Sequence, residues 1–319
     1  MKKGVHLTGM SRLCRDSSPR HCHAASLRAA LATVTLVVVT LLPGCSRWQK
    51  GGLLDDSAAF GFPRVLEHAR RAAAAYETDD VIKERFGAGT RLEISDLRGV
   101  DVKAFVEVDG AARVQWVVVR GTANLANVKL DAEWHKDAEA RLGVPIHRGF
   151  YDSALAVYGF ARPRLDPSFE TRVTGHSLGG AVAAVLLMMF HEDGLHLGRA
   201  MTFGQPKVTN AAGVARYRDL PLLRFVNHDD PVPLLPPEGF GQGAGVYRHF
   251  GAEVWLEDQG GFRFFPEHRA EAGAVTGFWR HLGEEDVAEH FIARYIANLE
   301  KQLQLFPHRA KPSDGPPTS

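Results

Sequence analysis

The sequence predicts an α/β fold in a single domain, a mostly parallel mixed sheet with helices on both faces. Three observations predict it. Strand-like and helix-like stretches alternate along the middle of the chain. VQWVVV (114–119) is almost continuously apolar, as a strand covered on both faces must be. AVAAVLLMMF (181–190) is apolar on every side, which places a helix in the core of a large sheet protein.

The elements follow in order. Residues 63–77 are alanine-rich with apolar positions at helical spacing, and Pro63 suits a first helical turn. KAFVEVD (103–109) and RVQWVVVRG (113–121) read as a hairpin turning through Gly110, Ala111 and Ala112. A helix is expected over 150–162, a loop over 163–170 and a strand over 171–175. RAMTFG (199–204) and LLRFVNH (222–228) are further strands, and 246–256 reads as a later pair. EEDVAEHFIARYIANLEKQL (284–303) is an amphipathic helix containing His290, and the proline-rich 307–319 lacks an apolar face and reads as a disordered tail.

Composition sets outer bounds. The 319 residues carry a net charge of +1, so no global field points to nucleic acid. The N-terminus differs from the rest: Lys2, Lys3, Arg12, Arg15, Arg20 and Arg28 face one acid, Asp16, before the uncharged run 29–42. A basic stretch, a short apolar run and small residues form an export signal, and the run is shorter than the ~20 residues a spanning helix needs. Leu42-Pro43-Gly44-Cys45 resembles a bacterial lipobox, with Pro43 departing from its usual pattern. The expectation is a signal segment 1–45, a lipid attached at Cys45, a linker 46–56 and a domain 57–306 held in the bacterial cell envelope. Cys14 and Cys22 fall within the signal, so the exported chain would keep Cys45 alone and form no internal disulfide. No Cys/His spacing suggests a metal, and no protein partner is inferable.

TGHSLGG (174–180) places Ser177 between a strand and a helix. A serine on such a sharp turn can raise its hydroxyl above the sheet, and the crowding of strand against helix asks for small neighbours. Gly175, Gly179 and Gly180 supply them, with His176 completing the turn. A serine hydroxyl needs a base to take its proton and an acid to orient that base, in the chain order Ser, acid, His for this fold. RFVNHDDPVPLLPP offers Asp229 and Asp230 at a strand end, with Pro231 forcing an extended or turning conformation on Asp230. His249, His268, His281, His290 and His308 all follow, and spacing does not choose among them.

These residues resemble the class 3, or fungal-type, lipases. The likeness runs from VVVRGT (117–122) through IHRGF (146–150), GHSLGG (175–180), TFGQP (202–206), DPVP (230–233) with LLPP (234–237), and YRHFG (247–251) to His290 and Tyr295. It implies the α/β-hydrolase fold and hydrolysis of carboxylic esters without a cofactor. It selects Asp230, which precedes an x-Val-Pro triplet, and His290, which lies shortly before a tyrosine. It also implies an oxyanion hole from the backbone amides of Leu178 and Thr122, worth about 3 kcal/mol for each donor.

One stretch departs from the family. A lid helix carrying Asn-Trp is usual after Arg-Gly-Thr, but here ANLANVKLDAEWHKDAEARLG (123–143) has Val128 at that position and a strongly polar composition. A lid that opens onto lipid should expose an apolar face, and Leu125, Val128, Leu130 and Trp134 make only a modest stripe. The expected substrates are therefore lipid esters, with phospholipid or a small soluble ester as alternatives. A catalytically silent envelope protein that binds lipid or a partner is the reading from another class.

Overall fold

The computed structural model describes residues 61–97, 99–121, 136–139, 141–236, 246–258, 260–266 and 285–305. The expected signal segment, Cys45, the linker, Thr122, His281 and the tail lie outside the described residues.

Eight strands form one sheet: β1 (Arg91–Leu97), β2 (Val102–Asp109), β3 (Val114–Val119), β6 (Glu170–His176), β7 (Ala200–Phe203), β8 (Leu222–Asn227), β9 (Ala252–Leu256) and β10 (Phe262–Phe265). Two short strands, β4 (Lys136–Glu139) and β5 (Val144–His147), pair apart from it. The helices are α1 (Phe62–Ala74), α2 (Asp79–Phe86), α3 (Arg148–Ala161), α4 (Leu178–Glu192), α5 (Ala211–Tyr217) and α6 (Ile292–Leu305).

The large sheet is ordered β1-β2-β3-β6-β7-β8-β9-β10. β3, β6, β7, β8 and β9 run parallel, while β1, β2 and β10 are antiparallel to their neighbours. Parallel neighbours need crossovers, and α3 and α4 occupy the chain between β3 and β7. Pairing of Val119 with Gly175, and of His176 with Phe203, sets the C-terminal ends of β3, β6 and β7 side by side. In open α/β sheets, ligands bind outside those ends.

Strand side chains alternate between two cores. Val117, Val119, Ala200 and Leu222 pack with α3 and α4, whereas Met201, Phe203, Leu223 and Phe225 pack with α1 and α6. Every residue of α4 from Gly179 to Phe190 is buried, as its all-apolar sequence demands. Seven of its large side chains, Val182, Val185, Leu186, Leu187, Met188, Met189 and Phe190, are wholly buried, which stabilises the fold by on the order of 10–20 kcal/mol before entropy is counted. A helix held this firmly gives the residue at its N-terminus a fixed position.

Several expectations need correction. The first helix ends at Ala74 rather than continuing to 77. Of the pair expected over 246–256, only Ala252–Leu256 is a strand, and its hairpin partner is Phe262–Phe265. Residues 136–139, within the segment compared with a lid helix, form a strand against 144–147. The closing helix does not begin at 284. A 3-10 turn spans Glu285–His290, and the α-helix starts at Ile292.

Candidate active site

Ser177 joins β6 to α4 with φ 60° and ψ −132°, a backbone conformation that costs a residue with a side chain about 1–3 kcal/mol. The turn is fixed from both sides. The Ser177 amide donates to the Phe203 carbonyl at 2.9 Å, and the Ser177 carbonyl accepts the Gly180 amide at 2.9 Å. A Cβ on Gly175 would meet the Gly179 carbonyl, and one on Gly179 the Val119 carbonyl. Leu178 opens α4, so its amide has no intrahelical acceptor and is available to an anion at the helix N-terminus.

Past the end of β8, two neighbouring acids have opposite environments. Asp229 is exposed and pairs with His228 at 2.8 Å. Asp230 is buried; its Oδ1 accepts the Val232 amide at 2.9 Å, and its Oδ2 accepts the Tyr295 hydroxyl at 2.5 Å. Pro231 and the 3-10 turn Val232–Leu234 carry the chain onward. The Lys207 ammonium donates to the Leu234 carbonyl at 2.9 Å and the His249 ring to the Pro233 carbonyl at 2.8 Å, holding the loop in place. Burial opposes ionisation of Asp230, yet the His290 charge, the His290 and Tyr295 hydrogen bonds and the Val232 amide outweigh it. The carboxyl is held below its usual range.

His290 ends the 3-10 turn, fully buried, and the exposed Phe291 follows. The chain breaks from helix here, which sets the imidazole against the Asp230 loop instead of along a continuous helix face. Its Nδ1 lies 2.8 Å from Asp230 Oδ2 and 2.9 Å from Oδ1. A carboxylate only accepts, so Nδ1 carries a hydrogen; in the neutral form of the ring Nε2 then keeps the lone pair that a general base requires. Nε2 and the Ser177 hydroxyl are both buried, and neither has a hydrogen-bond partner among the described residues.

The structure thus brings Asp230 and His290 into contact, and the His290 ring lies 4.6 Å from the ring of His176, the residue before Ser177. Other residues at the site are visible only in the structure. The Asn227 amide donates to the Tyr295 hydroxyl at 3.1 Å, and the Asn227 side chain donates to the Glu289 carbonyl at 2.8 Å, tying β8 to the turn before His290. Tyr76, in the turn after α1, lies 2.9 Å from His176 Nδ1. No local pattern marks Tyr76, which stands a hundred residues from its partner. Among the described residues, His228, Asp229 and Asp258 bring three potential metal-ligand atoms within 4.8 Å of one another. All three are exposed, unlike the buried Asp230–His290 pair.

The chain resembles known proteins in both sequence and fold. Residues 116–240 match the family model described as lipase (class 3). The chain is 34% identical over 165 residues to secreted mono- and diacylglycerol lipase 1 of Fusarium solani, covering 49% of this chain and 48% of that protein. It is 33% identical over 172 residues to a lipase of Rhizomucor miehei, covering 50% and 46%. The chain therefore spans about half the length of these relatives. The solved triacylglyceride lipase of Rhizomucor miehei superposes with a TM-score of 0.57 at 23% identity, over 70% of this chain and 92% of that one. The Rhizopus microsporus var. chinensis lipase gives 0.57 at 24%, over 67% and 82%. The fold is the α/β-hydrolase fold of these lipases, and the matches support the class 3 lipase family for residues 116–240.

Proposed function

We propose that the protein is a serine hydrolase that cleaves carboxylic esters of lipids through an acyl-enzyme. Ser177 attacks the ester carbonyl as His290 Nε2 takes its proton. Asp230 holds the imidazole and stabilises the imidazolium that forms. The amides of Leu178 and Thr122 receive the oxyanion, each worth about 3 kcal/mol in the transition state. His290 then protonates the departing alcohol, and water, activated by the same imidazole, releases the acid. The chemistry is supplied by the side chains and backbone alone.

The observation that carries this reading is the buried Asp230–His290 pair, 2.8 Å apart, whose imidazole lies 4.6 Å from the ring of His176, next in the chain to a serine held at φ 60°. Labelling with a fluorophosphonate tests it. Wild type and His281→Ala should label, and Ser177→Ala and His290→Ala should not. A folded wild type that fails to label would sink the proposal and favour the envelope-binding alternative. Labelling lost in His281→Ala but kept in His290→Ala would leave the hydrolase and change its base.

The mono- and diacylglycerol lipase relative favours glyceride esters. The polar composition of 123–143 favours a shorter or more soluble ester, or a phospholipid, over long-chain triglyceride at an interface. A series of p-nitrophenyl esters from C2 to C16 separates these, with the optimum expected at short to medium length. Attachment to the bacterial envelope through a lipid on Cys45 completes the proposal, supported by the uncharged run 29–42 and the lipobox-like Leu42-Pro43-Gly44-Cys45. Mass spectrometry of detergent-extracted protein should find a diacylglyceryl group on Cys45, and Cys45→Ala should release the protein from the membrane fraction.

A further inference from the structure

Two side chains close to Ser177, the half-buried Tyr76 and the buried His176, take no part in the chemistry just described. The Tyr76 hydroxyl accepts the Gly121 amide at 3.2 Å and lies 2.9 Å from His176 Nδ1. On the other side of the ring, His176 Nε2 lies 2.6 Å from the His290 carbonyl. A carbonyl only accepts, so the hydrogen of His176 sits on Nε2. Nδ1 is then bare, and Tyr76 must donate to it. One arrangement of protons satisfies all three bonds, and they run in a single direction: Gly121 amide, Tyr76, His176, His290 carbonyl.

Burial, aided by the charge of His290, lowers the pKa of His176 to about 3, and burial pushes that of the Tyr76 phenol up. Neither group changes protonation in the range where an imidazole base works. The packing is equally tight. A Cβ on Gly121 would stand 2.5 Å from the Tyr76 hydroxyl, 2.6 Å from the His176 carbonyl and 3.0 Å from Ser177 Cβ. The His176 and His290 rings lie 4.6 Å apart.

These contacts join three stretches of chain that a hydrolase must hold in register. Gly121 directly precedes Thr122, the expected upstream oxyanion donor, His176 directly precedes the nucleophile, and His290 is the base. Resting on the hydrolase reading above, we infer that Tyr76 and His176 are positioning residues that lock the oxyanion turn to the backbone of the general base. Their bonds fix main-chain groups rather than a substrate-binding wall. Their loss should therefore weaken the transition state more than ground-state binding, since small misplacements of catalytic groups cost rate.

The test uses the full chain with Tyr76→Phe, His176→Phe and His176→Gln, against wild type and Ser177→Ala. It reads kcat and KM on p-nitrophenyl butyrate, the Ki of a phenylboronic acid that mimics the tetrahedral oxyanion, and the melting temperature. Tyr76→Phe should lower kcat by about 10-fold and His176→Phe by about 100-fold, with KM within about threefold. Boronate affinity should fall in the same proportion. His176→Gln, whose amide nitrogen reaches about as far as the ring Nε2, should recover part of the rate. Unchanged kcat and boronate affinity in Tyr76→Phe would overturn the inference, whatever happens to the melting temperature. If His176→Phe does not fold, Tyr76→Phe decides alone. A wild type with no Ser177-dependent turnover would overturn the hydrolase reading as well, whereas an active wild type matched by an equally active Tyr76→Phe overturns only this inference.

Discussion

Gly204 and the His290 imidazole are so close that no side chain fits between them: a Cβ on Gly204 would stand 2.8 Å from His290 Cε1 and 2.7 Å from Asp230 Oδ2. Gly204 also has φ 58°, where any other residue is strained. Gly204→Ala should therefore push the acid and base away from Ser177 while leaving the sheet intact. We expect kcat to fall by about 10³-fold, with cooperative unfolding retained. A variant with more than a tenth of wild-type activity would show that the imidazole works from another position.

The two neighbouring acids after β8 should behave in opposite ways. Asp230→Asn keeps the shape but offers the wrong hydrogen-bonding partner to His290 Nδ1, and kcat should fall by about 10⁴-fold. Asp229 is exposed and bonded to His228, so Asp229→Asn should stay within about twofold of wild type, as exposed ion pairs contribute little. Equal losses in the two variants would mean that the acid loop acts as a unit and that Asp230 has no separate role.

Tyr295 donates to Asp230 at 2.5 Å and accepts from the Asn227 amide at 3.1 Å. Tyr295→Phe removes both bonds without changing the packing of the ring. The bare Asn227 amide should cost about 1–3 kcal/mol of stability. Loss of a donor to the carboxylate raises the Asp230 pKa, so the acid limb of kcat/KM should move to higher pH. At neutral pH kcat should fall by about 10-fold, equivalent to ~1.4 kcal/mol. An acid limb that does not move would remove the hydroxyl from the account of how Asp230 is kept ionised.

The parts of the fold legible in the sequence were those where burial leaves a mark on composition. VQWVVV and AVAAVLLMMF are apolar throughout because both faces are covered, and each forms the expected element. The strand Arg91–Leu97 and the helix Asp79–Phe86 lie at the margin, half-exposed, and carry no such mark. Amphipathic periodicity across 284–303 hid the break at Phe291, since both the 3-10 turn and the helix keep some residues inward. At the site, Ser177 stood out through its own strand–turn–helix motif, whereas spacing left two acids and five histidines open and only the resemblance to class 3 lipases selected Asp230 and His290. Tyr76, Asn227 and Gly204 depend on contacts between distant segments, which only the folded chain displays.

His68 predicts how the fold responds to acid. It is buried on α1, edge-on to Trp116 at 4.5 Å, and neither ring nitrogen has a hydrogen-bond partner among the described residues. Burial, and then the charges of Arg172, Arg71 and Arg64, hold its pKa well below 6.5. The unfolded chain therefore takes up a proton below about pH 6.5 that the folded chain refuses, and stability must fall as pH drops from there towards the folded pKa. Between pH 7.5 and pH 5.0 this one residue therefore lowers the stability of the fold. His68→Leu replaces two unpaired buried nitrogens with apolar volume, so it should be neutral or stabilising at pH 7.5. Urea unfolding at pH 7.5 and pH 5.0 measures the gap for both proteins. The variant should lose less stability on acidification than wild type; an unchanged gap would assign the acid response to other groups, of which His176, buried with a pKa near 3, is the next to replace.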